Sequence, residues 1–599
     1  MNMNRRGLLA FSAAALGTGM LPAWAQTNAR GTVRELPTLN GPNVNLTIDH
    51  ASWQIGRRKA HAVAINGTVP GPLIRLRQGQ NVKLSVTNRL DEETSIHWHG
   101  VLLPFQMDGV PGVSFPGIKA GETFVYEFPI KHAGTFWYHS HSGLQEQMGH
   151  YGPLILEPEG TDPIGYDREH VIVLSDYSFM HPHTIFSRLK QQAGVFNFQK
   201  QTLAGLIAGK DLSLKDRLMW ANMRMDPTDI SDVTGAAYTF LVNGHAPEDN
   251  WTALFKPGER VRLRFINAAA MTIFNVRIPG MTMTVVQADG ENVRPVDVEE
   301  FQISVAETYD VIIRPDEKAY TLVAEAVDRS GMGVATLAPR EGMSAAVPPL
   351  RERTILTMKD MGMDMGGMNP SMPGMDHGSM AGMDHSKMPG MAMPDMPGMD
   401  HSGMPGMDHG EMSMDMRDPK NAPQVKMGPG VQTISPMPKD RLGEPGLGLE
   451  NVGHKVLVYT DLVALRPNTD LRAPTRSMEI HLTGNMERFM WSFDGEKFSE
   501  VKKPIAFRAN ERVRITLVND TMMAHPIHLH GHFFELVTGG EPAHHPRKHT
   551  VNVAPGGKAT FDLTADAPGD WAFHCHLLYH MHAGMFQVVS IRPLEGAAL

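Results

Sequence analysis

Glu511-Arg512-Val513-Arg514-Ile515-Thr516-Leu517-Val518-Asn519 alternates aliphatic or β-branched residues with polar ones and ends on an asparagine. Alternation with a period of two marks a half-buried strand, one face on a core and the other in water. The pattern recurs as Gln80-Asn81-Val82-Lys83-Leu84-Ser85-Val86-Thr87-Asn88 and as Glu259-Arg260-Val261-Arg262-Leu263-Arg264-Phe265-Ile266-Asn267. A single copy is common to many sandwiches, but three copies at wide spacing predict three related units. The expected fold is all-β, with three tandem Greek-key β-sandwich domains.

The segments after the three copies differ. His97-Trp98-His99-Gly100 comes after the first and His525-Pro526-Ile527-His528-Leu529-His530-Gly531 after the third, whereas Ala268-Ala269-Ala270-Met271-Thr272-Ile273-Phe274 after the second holds no histidine. A second pairing repeats the contrast. Gly134-Thr135-Phe136-Trp137-Tyr138-His139-Ser140-His141 resembles Gly569-Asp570-Trp571-Ala572-Phe573-His574-Cys575-His576, while the middle unit offers Tyr320-Thr321-Leu322-Val323-Ala324-Glu325. The outer units are therefore expected to hold metal. The middle one is expected to be a spacer with a helical or irregular insertion between Pro182 and Asp232.

The chain has one cysteine, Cys575, with His580 five residues and Met585 ten residues after it. A thiolate, imidazoles and a weak thioether form the donor set of a blue-copper electron-transfer site. His574 and His576 cannot share that site if the segment is a strand, because side chains at i and i+2 point to one face and i+1 to the other. The pairs His97/His99, His139/His141, His528/His530 and His574/His576 each aim two imidazoles from one strand face. Together they supply eight nitrogens, enough for three ions with two ligands on one and three on each of the others. His525 and His580 are left to complete the site at Cys575.

In these four clusters, and in their order, the chain resembles the multicopper oxidases, and the likeness spans nearly all of it beyond the amino terminus. The resemblance implies cupredoxin-like domains and four copper ions: one type 1, one type 2 and a type 3 pair. It implies that His525, Cys575, His580 and Met585 hold the type 1 copper, and His97 and His528 the type 2 copper. His99, His139, His141, His530, His574 and His576 would hold the type 3 pair. Asp108, in Phe105-Gln106-Met107-Asp108-Gly109, matches a carboxylate that lies near the cluster in bacterial members and assists proton delivery. Asp108 and Cys575 are thus the residues expected to act in catalysis. Met581 departs from the pattern, since several bacterial members carry a proton-donating glutamate there; His582 is the nearest substitute.

The chain has 599 residues and a net charge of -9, and no basic stripe, which argues against a nucleic-acid partner. Asn4-Arg5-Arg6-Gly7-Leu8-Leu9, an Ala/Leu-rich run and Ala23-Trp24-Ala25 read as a twin-arginine export signal over residues 1–25. Export machinery of that type is an expected partner, the periplasm the expected compartment, and no later segment is apolar enough to span a membrane. One cysteine forms no intrachain disulfide, which leaves Cys575 free for metal.

Between Met358 and Met416 lie 19 of the 42 methionines, with versions of Met-Pro-Gly-Met-Asp-His ending at His377, His401 and His409. Pro and Gly at this density predict a disordered or loosely looped insertion. Thioethers are soft, neutral donors that suit Cu(I), so the tract is expected to bind additional labile Cu(I). With the export signal, it makes the chain most similar to the periplasmic copper resistance protein A group. Met223-Arg224-Met225-Asp226-Pro227-Thr228-Asp229 and Gly484-Asn485-Met486-Glu487-Arg488-Phe489-Met490-Trp491-Ser492-Phe493-Asp494-Gly495 also resemble that group, and Met486, Met490 and Asp494 are candidates for a Cu(I) access site. The expected parcelling is a first sandwich over 37–160, a copper-free second over 165–345, a Met/His-rich loop over 356–420 and a third sandwich over 450–595. The expected activity is oxidation of Cu(I) to Cu(II) coupled to four-electron reduction of dioxygen to water, with periplasmic copper carriers as further partners. The rivals are a laccase-like phenol oxidase and a copper-sequestering protein in which the tract is the main functional part.

Overall fold

The computed structural model describes residues 35–363 and 415–593. The export signal and the Met/His-rich repeats between 364 and 414 lie outside the described residues. The rest forms six sheets, two in each of three successive units. Among the described residues no helix is long and apolar enough to cross a membrane.

The three repeat strands take the same place in their sheets. Asn81–Asn88 lies between parallel Asn43–Ile55 and antiparallel Thr123–Pro129. Val261–Asn267 lies between parallel Arg168–Ser178 and antiparallel Thr308–Ile313. Arg512–Asn519 lies between parallel Arg476–Asn485 and antiparallel Gly557–Thr564. Their aliphatic residues, such as Val82, Leu84, Leu263, Phe265, Val513 and Ile515, enter the common core. Burying such a side chain contributes about 1.5–3 kcal/mol.

The terminal asparagine of each repeat tethers the next loop. Asn519 Nδ2 donates to the carbonyls of Met523 (2.6 Å) and Val553 (3.0 Å), and its Oδ1 accepts from Thr521 N–H at 2.9 Å. Asn88 holds Glu92 and Ile118 in the same way at 2.7 and 2.8 Å, and Asn267 holds Thr272 and Ile303 at 2.9 and 3.0 Å. A buried amide so used satisfies backbone groups that the turn would otherwise strand. In the outer units the tethered loops lead into the histidine strands His97–His99 and His525–Leu529.

Half-burial, expected for all three repeats, holds for Asn81–Asn88 but not for Val261–Asn267, which is buried along its whole length. The polar face of the middle strand meets the first unit instead of water. Arg262 bonds Asp310 and Asp162 at 2.8 and 2.7 Å; Arg264 bonds Glu169 at 2.7 Å, Asp310 at 3.1 Å and Thr135 Oγ1 of the first unit at 3.0 Å. Arg75 of the first unit pairs with the other oxygen of Glu169. A guanidinium can be buried this way because its fixed fork of donors is matched by carboxylates.

The insertion of the middle unit is helical, as Pro182–Gln191, Leu203–Ile207 and Leu214–Asn222. Thr202 and Ser213 cap the latter two, their hydroxyls accepting from Gly205 and Asp216 N–H at 2.9 and 3.2 Å. The described ends of the methionine tract are packed rather than loose: Met361 and Met416 are buried, and Asp360 pairs with Arg441 at 2.8 Å. The third unit reaches further back than residue 450, because Lys439–Asp440 adds a short parallel strand beside Gly557 and Lys558.

Burial alone would raise the Glu169 carboxyl, but the Arg264 and Arg75 guanidinium groups outweigh it and hold it at about 2. An unfolded glutamate titrates near about 4.3. The contribution of Glu169 is therefore complete above that value and is lost as pH falls through about 2. Urea unfolding midpoints across this acid window should fall for the wild type, and Glu169→Gln should show a smaller acid-dependent fall from a lower neutral-pH starting stability.

Candidate metal centres

The strand Gly569–Cys575 runs between Phe586–Arg592 and His525–Leu529. Its alternation sends Cys575 to one side and His574 and His576 to the other. On the first side, donor atoms of His525, Cys575 and His580 lie within 4.8 Å of one another. Cys575 Sγ is 3.6 Å from His525 Nδ1 and 3.8 Å from His580 Nδ1. Met585 is buried, with its N–H on the His580 carbonyl and its carbonyl on Cys575 N–H, both at 3.1 Å. On the other side, His574 joins His141 and His530, and His576 joins His99 and His139, again within 4.8 Å. His97, His528 and His530 make a further such group. All twelve residues expected to bind metal thus gather in two neighbouring places, although the four strands that supply the His-X-His pairs come from the first and third units.

Hydrogen bonds decide which ring nitrogen most of these histidines offer. His97 Nδ1 is 2.7 Å from the Asp108 carbonyl, His528 Nδ1 2.8 Å from that of His549, His139 Nδ1 3.1 Å from that of Ser140, and His574 Nδ1 3.0 Å from that of Cys575. A carbonyl only accepts, so each Nδ1 carries the proton and each Nε2 keeps its lone pair. Nε2 of His97, His99, His139, His141, His528 and His576 is without a hydrogen bond among the described residues. At Cys575 the assignment reverses. His525 Nε2 meets Thr521 Oγ1 at 2.8 Å and His580 Nε2 meets Asp232 Oδ2 at 2.6 Å, so both rings turn Nδ1 to the sulfur.

The electrostatics match a cation. Burial pushes His99, His139, His141, His525, His528, His530, His576 and His580 well below the usual histidine range, and His574 down to about 4, so the imidazoles are neutral donors. Burial also pushes the Cys575 thiol far up, so ionising it needs a positive partner, which a metal supplies. His530 Nε2 and His574 Nε2 stand 3.0 Å apart. Two lone pairs at that separation are stable only with a proton or cation between them. Soft sulfur with imidazole in one group and imidazole alone in the other fits copper.

Asp108 is buried, with Oδ2 2.9 Å from His530 Nδ1 and Oδ1 3.3 Å from His97 Nδ1. Met581 packs with Val110, Ala572 and Phe586 and carries no exchangeable proton, and His582 is exposed. Asp494 accepts from His481 N–H at 2.7 Å in a turn, and Met486 is buried beside Trp491, whose indole stacks on His580 at 3.8 Å.

Several residues at these centres have no signal in the spacing of the histidines. Asp232 reaches His580 across 348 positions of chain. Behind the same helix, Ala270 accepts from Leu578 N–H at 2.9 Å and Met271 Sδ receives Tyr579 N–H at 3.4 Å. The histidine-free loop of the middle unit is therefore the seat of the helix that carries His580, and that unit does more than space the others. Glu146, 2.8 Å from His139 Nδ1, could have been noticed as a carboxylate in the loop after His141.

Three sequence models of the multicopper oxidase family match this chain, over residues 47–161, 169–347 and 471–595. Copper resistance protein A of Escherichia coli is 48% identical over 96% of both chains, and that of Pseudomonas syringae pv. tomato 49% identical over 96% of both. Among solved structures, Fet3p, a multicopper oxidase that functions in iron import, is 18% identical and superposes with a TM-score of 0.61 over 92% of this chain and 90% of its own. The laccase from Botrytis aclada is 20% identical with a TM-score of 0.57 over 93% and 88%. At those identities the structural likeness shows a shared fold. The family matches and the copper resistance relatives show more: this chain belongs to the multicopper oxidases, copper-dependent oxidoreductases.

Proposed function

We propose that the chain is an exported, periplasmic cuprous oxidase that contributes to copper tolerance. Four Cu(I) ions are oxidised to Cu(II) while one dioxygen and four protons become two waters. The observation that carries this reading is the direct peptide linkage of Cys575 to His574 and His576, which joins the two donor groups by a few covalent bonds. Copper held by His525, Cys575, His580 and Met585, and by the eight paired histidines, would supply one-electron transfer at the first group and multielectron reduction of dioxygen at the second.

The chain's own residues set the path. Asp232 shares one proton with His580 Nε2 and keeps Nδ1 aimed at the sulfur. Trp491 fixes the His580 ring from its other face. Asp108 Oδ2 holds the proton of His530 Nδ1, and its Oδ1, free of hydrogen bonds, is the group suited to pass protons into a cavity that Met581 cannot serve. The methionine tract captures Cu(I) for delivery, and the twin-arginine machinery exports the folded chain.

Cu(I) as the reductant is supported by the two copper resistance relatives and by the methionines of the tract, whose thioethers favour Cu(I) over a phenol. Oxygen consumption with Cu(I) and with a substituted phenol, before and after deletion of residues 364–414, tests it. Cu(I) turnover should exceed phenol turnover and fall on deletion. Phenol oxidation that ignores added copper and survives deletion would establish the laccase reading instead. Cys575→Ser should remove the intense visible thiolate band and all Cu(I) turnover; copper tolerance that persists in cells carrying it would favour sequestration. Asp232→Ala should keep the thiolate band yet slow Cu(I) turnover about 10- to 100-fold, the usual cost of losing a partner that orients a ligand.

A further inference from the structure

Asp176 is a buried carboxylate on the strand Arg168–Ser178 of the middle unit, outside both donor groups. Its Oδ2 accepts from Met271 N–H at 3.1 Å, Thr272 N–H at 3.0 Å and Thr272 Oγ1 at 2.6 Å, and its Oδ1 from Ala270 N–H at 3.0 Å. Gln147 Nε2, from the loop after His141 in the first unit, approaches Oδ1 at 3.4 Å. Donors thus converge on both oxygens. An ionised carboxylate can accept them all, whereas an amide would turn its NH2 group against N–H groups. A carboxylate so matched fixes the backbone it binds, because each buried group released from it would lack a partner at a cost of about 1–3 kcal/mol.

That backbone is the seat of the helix Leu578–Ala583, which carries His580. The helix starts at Leu577 without a side-chain cap, and its first N–H groups have no acceptor within it. The Ala270 carbonyl takes the N–H of Leu578 at 2.9 Å, and Met271 Sδ that of Tyr579 at 3.4 Å. The ring of Tyr579 returns to the same carboxylate by another route: its hydroxyl lies 3.5 Å from Gln147 Oε1, which also accepts from Tyr238. Asp176 therefore reaches the residue before His580 through both its backbone and its ring. A helix of six residues is too short to absorb a shift at Tyr579 before it reaches His580, whose Nδ1 stands 3.8 Å from Cys575 Sγ.

Resting on the assignment of Cys575 and His580 to one copper, we propose that Asp176 is a positioning residue of that centre. Through the Ala270–Thr272 loop and Gln147 it holds the His580 helix at a set distance from the sulfur. The test compares wild type, Asp176→Asn, Thr272→Val and, as a control, Thr336→Val, which removes a 2.7 Å hydrogen bond to Asn250 elsewhere in the middle unit. In copper-loaded Asp176→Asn the thiolate absorption band should persist but shift. Electron paramagnetic resonance should show a changed hyperfine splitting of the thiolate copper, with the resonance of the non-thiolate copper as in wild type. In the metal-free protein, amide hydrogen exchange at Leu578 and Tyr579 should quicken. Thr272→Val should give the same changes in weaker form. Thr336→Val should give none of them, although it costs the fold a comparable hydrogen bond. If Asp176→Asn fails to fold, Thr272→Val decides. A thiolate band, hyperfine splitting and amide exchange identical to wild type in the folded variants would overturn the proposal, and so would the same changes in Thr336→Val. Absence of a thiolate band in the loaded wild type would instead overturn the ligand assignment, while amide exchange would still report whether Asp176 holds the helix.

Discussion

Two metal centres of different chemistry share one strand, and that constraint organises the protein. Neighbouring residues of a strand face opposite ways, so a thiolate at Cys575 and imidazoles at His574 and His576 point into separate cavities while staying covalently joined. Each cavity then needs walls that the strand cannot supply. Strand His525–Leu529 of the third unit furnishes one wall, with the helix Leu578–Ala583 closing the side of Cys575. The first unit closes the other, with His97–His99 and Gly134–His139. The cavity of eight imidazoles is an interface between units as much as a site within one.

Burial serves this arrangement in two ways. It strips water from the imidazoles and keeps them neutral, and it makes the thiol unwilling to ionise without a cation. Neither effect orients a ring. Orientation comes from the nitrogen turned away from the cavity, which meets a backbone carbonyl, a hydroxyl or one of the carboxylates Asp108, Glu146 and Asp232. These outer partners divide the histidines into those offering Nε2 and those offering Nδ1.

The segments of the middle unit that correspond to the histidine strands hold no histidine, but the unit is not passive. Its repeat strand is buried in the contact with the first unit through Arg264, Asp310 and Glu169, its loop at Ala270 supports the helix of His580, and Asp232 holds the ring itself. Asp289 braces the turn behind His528. This copy of the repeat, without histidines in the corresponding segments, presents surfaces that hold parts of the other two units.

Local pattern was enough to reveal the parts of the molecule governed by backbone period. The alternation of Val513, Ile515 and Leu517, repeated twice more, determined three β units. The i, i+2 spacing of the histidine pairs determined which side chains share a face, because both follow from the geometry of consecutive residues. The sole cysteine, with His580 and Met585 behind it, determined the class of metal. Tertiary structure alone decided that Arg262 and Arg264 face a neighbouring unit instead of water, that Asp232 reaches His580, and that His549 stands beside His99. Those contacts join residues far apart in the chain, where no period links one position to the other. They arise from how three sandwiches stack, and only the packed units bring them within a hydrogen bond.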